Sequence, residues 1–197
     1  ETLWMLLPSS CSLSLLQIIE NRKIIESKKQ VYYLTVPALV ASLIFIIQLD
    51  YLFNIKKIVG VFLLLTALLR MSEKAGQWLK KLVDNSKALI YLLIGFIHGV
   101  SNLGGAPLSV LASTAYDKST IIRSNIAFVY FILALSQIFV LTLFEREIFS
   151  FLYLKFIPIV IINYLLTSKI LLSHIDEAQF KGLINILILI FGVICFF

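Results

Sequence analysis

Between Ala88 and Tyr116 the chain runs 29 residues without an Asp, Glu, Lys or Arg, yet Gly95, His98, Gly99, Asn102, Gly104, Gly105 and Pro107 stand inside that run. A stretch this apolar enters a bilayer, where an amide or carbonyl without a partner costs several kcal/mol. As one helix it would measure about 43 Å at ~1.5 Å per residue. The hydrocarbon core is only roughly 30 Å thick, so the helix is expected to break. Gly104 and Gly105 lack the side chain that restrains backbone angles, and Pro107 removes an amide donor while favouring the first turn of a new helix. The run predicts two half-helices, Ala88 to Leu103 and Pro107 to Tyr116.

Further uncharged stretches cover Thr2 to Ile19, Val31 to Leu49, Ile58 to Leu69, Ser124 to Phe144 and Gly182 to Phe197; a seventh apolar segment, Ile148 to Ser173, contains Lys155 and Lys169. Most are close to one helical crossing each. With 60% apolar and 14% charged residues and a mean hydropathy of +0.98, the chain reads as an all-α polytopic membrane protein embedded in lipid. Its net charge of +6 is scattered over short loops and forms no single stripe, so nucleic acid is not an expected partner. Cys11 and Cys195 lie far apart in apolar runs, with the spacing of neither a disulfide framework nor a metal site.

Lysine and arginine are retained preferentially in cytoplasmic loops, and this decides how the broken pair runs. If it returns to its own side, the cytoplasmic loops hold Arg22, Lys23, Lys28, Lys29, Arg70, Lys74, Lys80, Lys81, Lys87, Lys118, Arg123, Lys169 and Lys181, which is 13 of 17. A single crossing gives a weaker split of 11 against 6. The count favours a re-entrant hairpin.

The two ends of the chain also resemble each other. Gln17 is 20 residues before Pro37, which is 23 before Gly60; Gln137 is 21 before Pro158, which is 24 before Gly182. "YLTVP" then falls beside "YLKFIP", and the hairpin topology gives the two halves opposite orientations. An inverted-repeat helical bundle follows, with residues 1–70 as an incomplete first repeat, 71–87 as a cytoplasmic linker and 88–197 as the second repeat. The first half offers no counterpart of the broken hairpin, so a fragment or divergence from a symmetric ancestor is expected, and the absence of an initiator Met favours the fragment.

Inverted repeats with broken helices are a construction of secondary transporters, whose substrate sits where the half-helix ends meet. A half-helix N-terminus attracts anions through its unpartnered amides and its dipole. Candidate substrate-binding residues are therefore Ser101, Asn102, Gly104, Gly105 and Ser109 at the break, with Ser124 and Asn125 at the start of the next span. Thr2, Gln17, His98, Arg123 and Gln137 are candidates for lining the pathway. Packing competes at every glycine, since small residues let helices approach closely. No metal-ligand cluster, paired intramembrane carboxylates or nucleophile with an aligned base is present, so neither an enzyme nor a metal or other cofactor is expected. A homo-oligomer is compatible with the sequence, and a non-transporting membrane scaffold is the alternative reading.

A glycine-rich "GFIHGVSNLGGAPL", a following "RSNIAF" helix, a helix with an internal proline and a closing "HIDEAQFKGLINILILIFGV" resemble the second repeat of the TauE/SafE family of membrane transporters. The first 70 residues resemble the later part of that family's first repeat, so the likeness covers nearly the whole chain. Asn102-Leu103-Gly104-Gly105 stands where the family commonly has a denser glycine run. The resemblance implies movement of small anions, such as sulfite or organosulfonates, across a cell membrane.

Overall fold

The structure, a computed structural model, describes residues 2–21, 25–26, 28–49, 56–145, 147, 150–170 and 175–196. Helix α1 (Thr2–Asn21) is followed by α2 (Lys28–Gln30), which continues through a π-helical turn, Val31–Thr35, into α3 (Val36–Leu49). The wide turn sits just ahead of Pro37, whose ring would otherwise press on a carbonyl one turn earlier. Next come α4 (Lys56–Arg70), α5 (Glu73–Asn85), α6 (Lys87–Ser101), α7 (Gly105–Ala115) and α8 (Ser119–Phe144). A 3-10 turn, Phe151–Lys155, leads into α9 (Phe156–Ile170), and α10 (Glu177–Ile194) closes the chain. Its N-terminus carries a capping box, in which Asp176 accepts from the Gln179 amide at 2.7 Å and Gln179 accepts from the Asp176 amide at 3.1 Å.

Among the described residues, five stretches are long and apolar enough to cross a membrane: Leu3–Glu20, Lys28–Gln48, Ser119–Phe144, Phe151–Ser168 and Glu177–Ile194. Lipid leaves a spanning segment little choice but to bond its backbone internally as helix. The protein is an all-α polytopic membrane protein. The segment expected as a linker is itself a helix, α5, which turns Leu79 and Val83 into the core while Lys80 and Lys81 stay exposed.

The long uncharged run breaks as expected but two residues early. Helix α6 ends at Ser101, and Asn102 takes the left-handed conformation, with φ 59° and ψ 13°. Asparagine is one of the few residues that tolerate this geometry at a helix end, so the chain turns there and does not wait for the glycines. Pro107 then occupies the first turn of α7, where no intrahelical bond is lost.

The broken pair returns to the side it left. Lys87, the first residue of α6, holds its ammonium 5.7 Å from the ring centroid of Tyr116, the residue after α7. Asp117 in the same loop meets Lys181 at 2.7 Å and Lys80 at 3.8 Å. The Lys181 hydrogen bond, then the charges of Lys181 and Lys80, hold the Asp117 carboxyl below its usual range, so these pairs persist until the pH falls below that of an ordinary carboxylate. At the opposite end, Trp4 Nε1 donates to the Glu145 carbonyl at 3.1 Å, setting α1 antiparallel to α8. Helices α4 and α10 are likewise antiparallel, since Gly60 lies against Gly192 and Cys195 while Asn185 reaches the Ala67 carbonyl. Two counterpart pairs of the halves, α1 with α8 and α4 with α10, thus run antiparallel, as an inverted bundle requires.

Two glycines of the broken pair serve this packing. A Cβ on Gly95 would overlap the Thr35 carbonyl, and one on Gly99 would overlap Ser42 Oγ and lie 2.6 Å from the Leu39 carbonyl. Spaced four residues apart, they form one smooth face that lets α6 lie directly on α3. Gly99→Ala is expected to destabilise the protein by about 2 kcal/mol through overpacking, whereas Gly76→Ala, with nothing within 4 Å of the added carbon, should be neutral or stabilise by up to ~1 kcal/mol. Thermal unfolding in detergent compares them. For the topology, single cysteines at Lys80 and Lys181 should label from one face of the membrane and one at Ser150 from the other; labelling of all three from a single face would exclude the hairpin.

Candidate functional site

The break in the α6–α7 pair is lined by polar groups from three helices. The Asn102 amide N–H closes α6 on the His98 carbonyl at 2.9 Å, while its Oδ1 accepts from Gln137 Nε2 of α8 at 3.5 Å. With that oxygen engaged, the Asn102 Nδ2 donor is what the residue has left to offer a ligand. At the start of α7, Leu108 donates to the Gly104 carbonyl at 3.1 Å and Ala106 to the Leu103 carbonyl at 3.3 Å. Pro107 has no N–H, so the amides of Gly104 and Gly105 are the ones that helix geometry leaves without an intrahelical acceptor.

Two cavities meet at Asn102 and Tyr130. One, of about 200 Å³, opens between α7 and α10 and is bordered by Gly105, Ser109, Ile184 and Phe191 as well as by those two residues. The other, of about 360 Å³, lies between α1 and α8 and adds Ser9, Ser10, His98 and Gln137. His98 and Gln137 are close neighbours and almost wholly buried. Even so, Ser9 Oγ reaches no partner at hydrogen-bonding geometry, and the His98 ring and Gln137 Oε1 have at most each other. Buried polar groups so poorly paired on one cavity wall are costly unless a ligand or water meets them. Among the described residues, none lining either cavity carries a carboxylate, lysine or arginine.

The glycines at the break are fitted to their neighbours. A Cβ on Gly104 would lie 2.6 Å from His98 Cβ and 2.7 Å from the Ile94 carbonyl, and one on Gly105 would overlap the Tyr130 hydroxyl. Close packing therefore accounts for both, and Gly105 also borders a cavity. Ser101 turns its hydroxyl to the Ile97 carbonyl at 2.8 Å and accepts from the Leu103 amide at 3.4 Å, which holds the turn. Ser109 borders the smaller cavity while bonded to the Gly105 carbonyl at 3.0 Å.

Other expected residues lie elsewhere. Ser124 and Asn125 sit near the lysine-rich end of α8, about 18 Å along the helix from Gln137. There Ser124 bonds the Thr120 carbonyl at 2.7 Å, and Asn125 accepts from the Glu26 amide at 3.0 Å, fixing the loop after α1. Neither lines the cavities at the break. Arg123 lies at the same end, near Tyr164, whose hydroxyl donates to Glu20 at 2.7 Å. Gln17 is half-buried on α1 and borders neither cavity, and the Thr2 side chain lies outside the described residues.

Tyr130, Ser9 and Ser10 escaped the sequence reading. Tyr130 stands seven residues before Gln137 and so on the same helical face, a spacing that could have marked it. Ser9 and Ser10 follow Pro8 in an otherwise apolar run, the same signature that marked the break.

The family described as sulfite exporter TauE/SafE matches residues 3–194. No curated protein and no solved structure matches the chain significantly. Since the match spans all but the first two and last three residues, the chain belongs to the TauE/SafE family of sulfite exporters, which are membrane transporters.

Proposed function

We propose that this chain carries small oxyanions, with sulfite or organosulfur anions as the substrate class, across a cell membrane by alternating access, with the bacterial inner membrane as its setting. The substrate would sit at the break between α6 and α7. The reading is carried by one observation: the buried, poorly paired polar groups of Ser9, His98 and Gln137 line a cavity that shares Asn102 and Tyr130 with the α7 cavity. Asn102 would donate through Nδ2, Tyr130 through its hydroxyl, and the Gly104 and Gly105 amides through the positive end of α7. Ser109 would line the same path.

Neutral donors suit a carrier. A fixed cation buried beside the substrate would deepen the bound state, and transport demands release as well as capture. Amides and hydroxyls stabilise the anion through dipoles that stay in place once it has left. Ser124, Asn125, Gln17 and Arg123 belong in this reading to the support of the helices and not to the contact with substrate. A first repeat over residues 1–70 and a second over 88–197 fit the same proposal, because α1 of one and α6 and α8 of the other wall the cavity that holds Ser9, His98 and Gln137.

The decisive substitution is Asn102→Gly, since glycine keeps the left-handed backbone while removing the side chain, whereas alanine would add strain of its own. Efflux of radiolabelled sulfite from proteoliposomes, measured below saturation, should fall roughly tenfold or more with Asn102→Gly, the loss expected for one hydrogen bond to a charged group. Gln137→Leu should act in the same direction. Unchanged efflux in both variants would remove the break from the substrate path.

A further inference from the structure

On the lysine-rich side, three cations from distant parts of the sequence converge on one cavity. Arg70 ends α4, Lys80 lies on α5 and Lys181 on α10, and together they line a space of about 360 Å³. Among the described residues, Asp117 is the one carboxylate lining that space, bridged to Lys181 at 2.7 Å and to Lys80 at 3.8 Å, so three positive charges there face one negative. Arg70 spends one donor on Ser113 Oγ, at 2.8 Å; a guanidinium has five. Thr114 Oγ1 is buried on the same wall without a partner.

Topology alone does not account for this convergence. Loop lysines that only set orientation can extend into water, as the exposed Lys74 and Lys81 do. Arg70 is instead half-buried against the end of α7. The cavity is also flanked by the same two helices, α7 and α10, as the smaller cavity at the break. On α10, Lys181 and Asn185 line the cation cavity, and Ile184, Ile188 and Phe191 line the cavity at the break. On α7, Ser113 lines the first and Ser109 the second, and the Ser113 hydroxyl donates to the Ser109 carbonyl at 2.5 Å.

We propose that this cavity is a second binding site, taking a small oxyanion at the lysine-rich face through Arg70, Lys80, Lys181 and Thr114, with the α7–α10 seam leading from it to the break. The oxyanion chemistry is shared by a free solute and by a lipid phosphate headgroup. The seam's role rests on the transport reading above, but binding does not.

The test is equilibrium binding of radiolabelled sulfite to the whole chain in phosphatidylcholine nanodiscs, by scintillation proximity. Arg70→Gln combined with Lys181→Gln should weaken binding by about tenfold or more, and added sodium chloride should weaken it in the wild type. Asp117→Asn, which removes the competing carboxylate, should tighten binding by roughly threefold to tenfold, a gain that misfolding does not produce. Unchanged affinity in both variants overturns the second site, and if Asn102→Gly then abolishes binding, the transport reading stands without it. Conversely, binding that follows the Arg70 and Asp117 substitutions while Asn102→Gly and Gln137→Leu leave efflux untouched keeps the second site and overturns the break as substrate path. Phosphatidylglycerol added to the discs separates the sources: displacement of sulfite assigns the site to a headgroup, and retention assigns it to the free anion.

Discussion

A peptide group facing hydrocarbon without a hydrogen bond costs several kcal/mol, and the α6–α7 break places such groups inside the membrane span. Most of this architecture can be understood as what makes that interruption tolerable. The turn at Asn102 keeps the amide of that residue bonded to His98, Ser101 holds the Leu103 amide, and Gly104 and Gly105 are buried against His98 and Tyr130. Helix α6 is itself seated on α3 through Gly95 and Gly99. The break is thus covered by protein on the sides where lipid would otherwise reach it. What remains uncovered opens onto two cavities.

Those cavities differ in character from the basic one near the membrane surface. At the break the lining offers amide, hydroxyl and imidazole groups and no fixed charge, whereas the outer cavity gathers Arg70, Lys80 and Lys181 around Asp117. A lysine or arginine in the hydrocarbon core is expensive to keep there, while one near a helix end can reach the interface. Charge is therefore placed where solvent helps to stabilise it, and dipoles are placed where it does not.

The sequence made the break and the hairpin legible because both rest on strong physical signals: a 29-residue uncharged run too long for one crossing, and a lopsided distribution of lysine and arginine. It placed Asn102, His98 and Gln137 among the candidates, and the fold brings these three together. It placed Ser124 and Asn125 beside them because they open the span that carries Gln137, but position along a helix axis depends on where the helix starts. That start lies at the opposite end from Gln137. The glycines at the break read two ways. Closeness to a ligand and closeness to a neighbouring helix require the same missing side chain, and only the contacts of Gly104 with His98 and of Gly105 with Tyr130 separate them. The basic cavity was invisible in sequence, because Arg70, Lys80 and Lys181 meet only after α4, α5 and α10 pack.

Packing is unevenly shared among the helices, and that bears on movement. Helices α1, α3, α6 and α8 form one closely packed body, while α4 and α10 pack chiefly on each other and then on α5 and α7. Between them the contact of α8 with α10 is slight, and the smaller cavity at the break lies along that line, with Tyr130 on one wall and Ile184, Ile188 and Phe191 on the other. Alternating access needs two bodies that can shift against each other around a fixed site. Here the half-helix whose N-terminus faces the proposed substrate belongs to the junction, since α7 touches α8 on one side and α4 and α10 on the other. A small rotation of α4 and α10 about α7 would change the width of the seam without disturbing the glycine crossing that fixes α6 to α3. The break would then be the stationary point about which the seam opens, which is where a site reached alternately from two sides has to be.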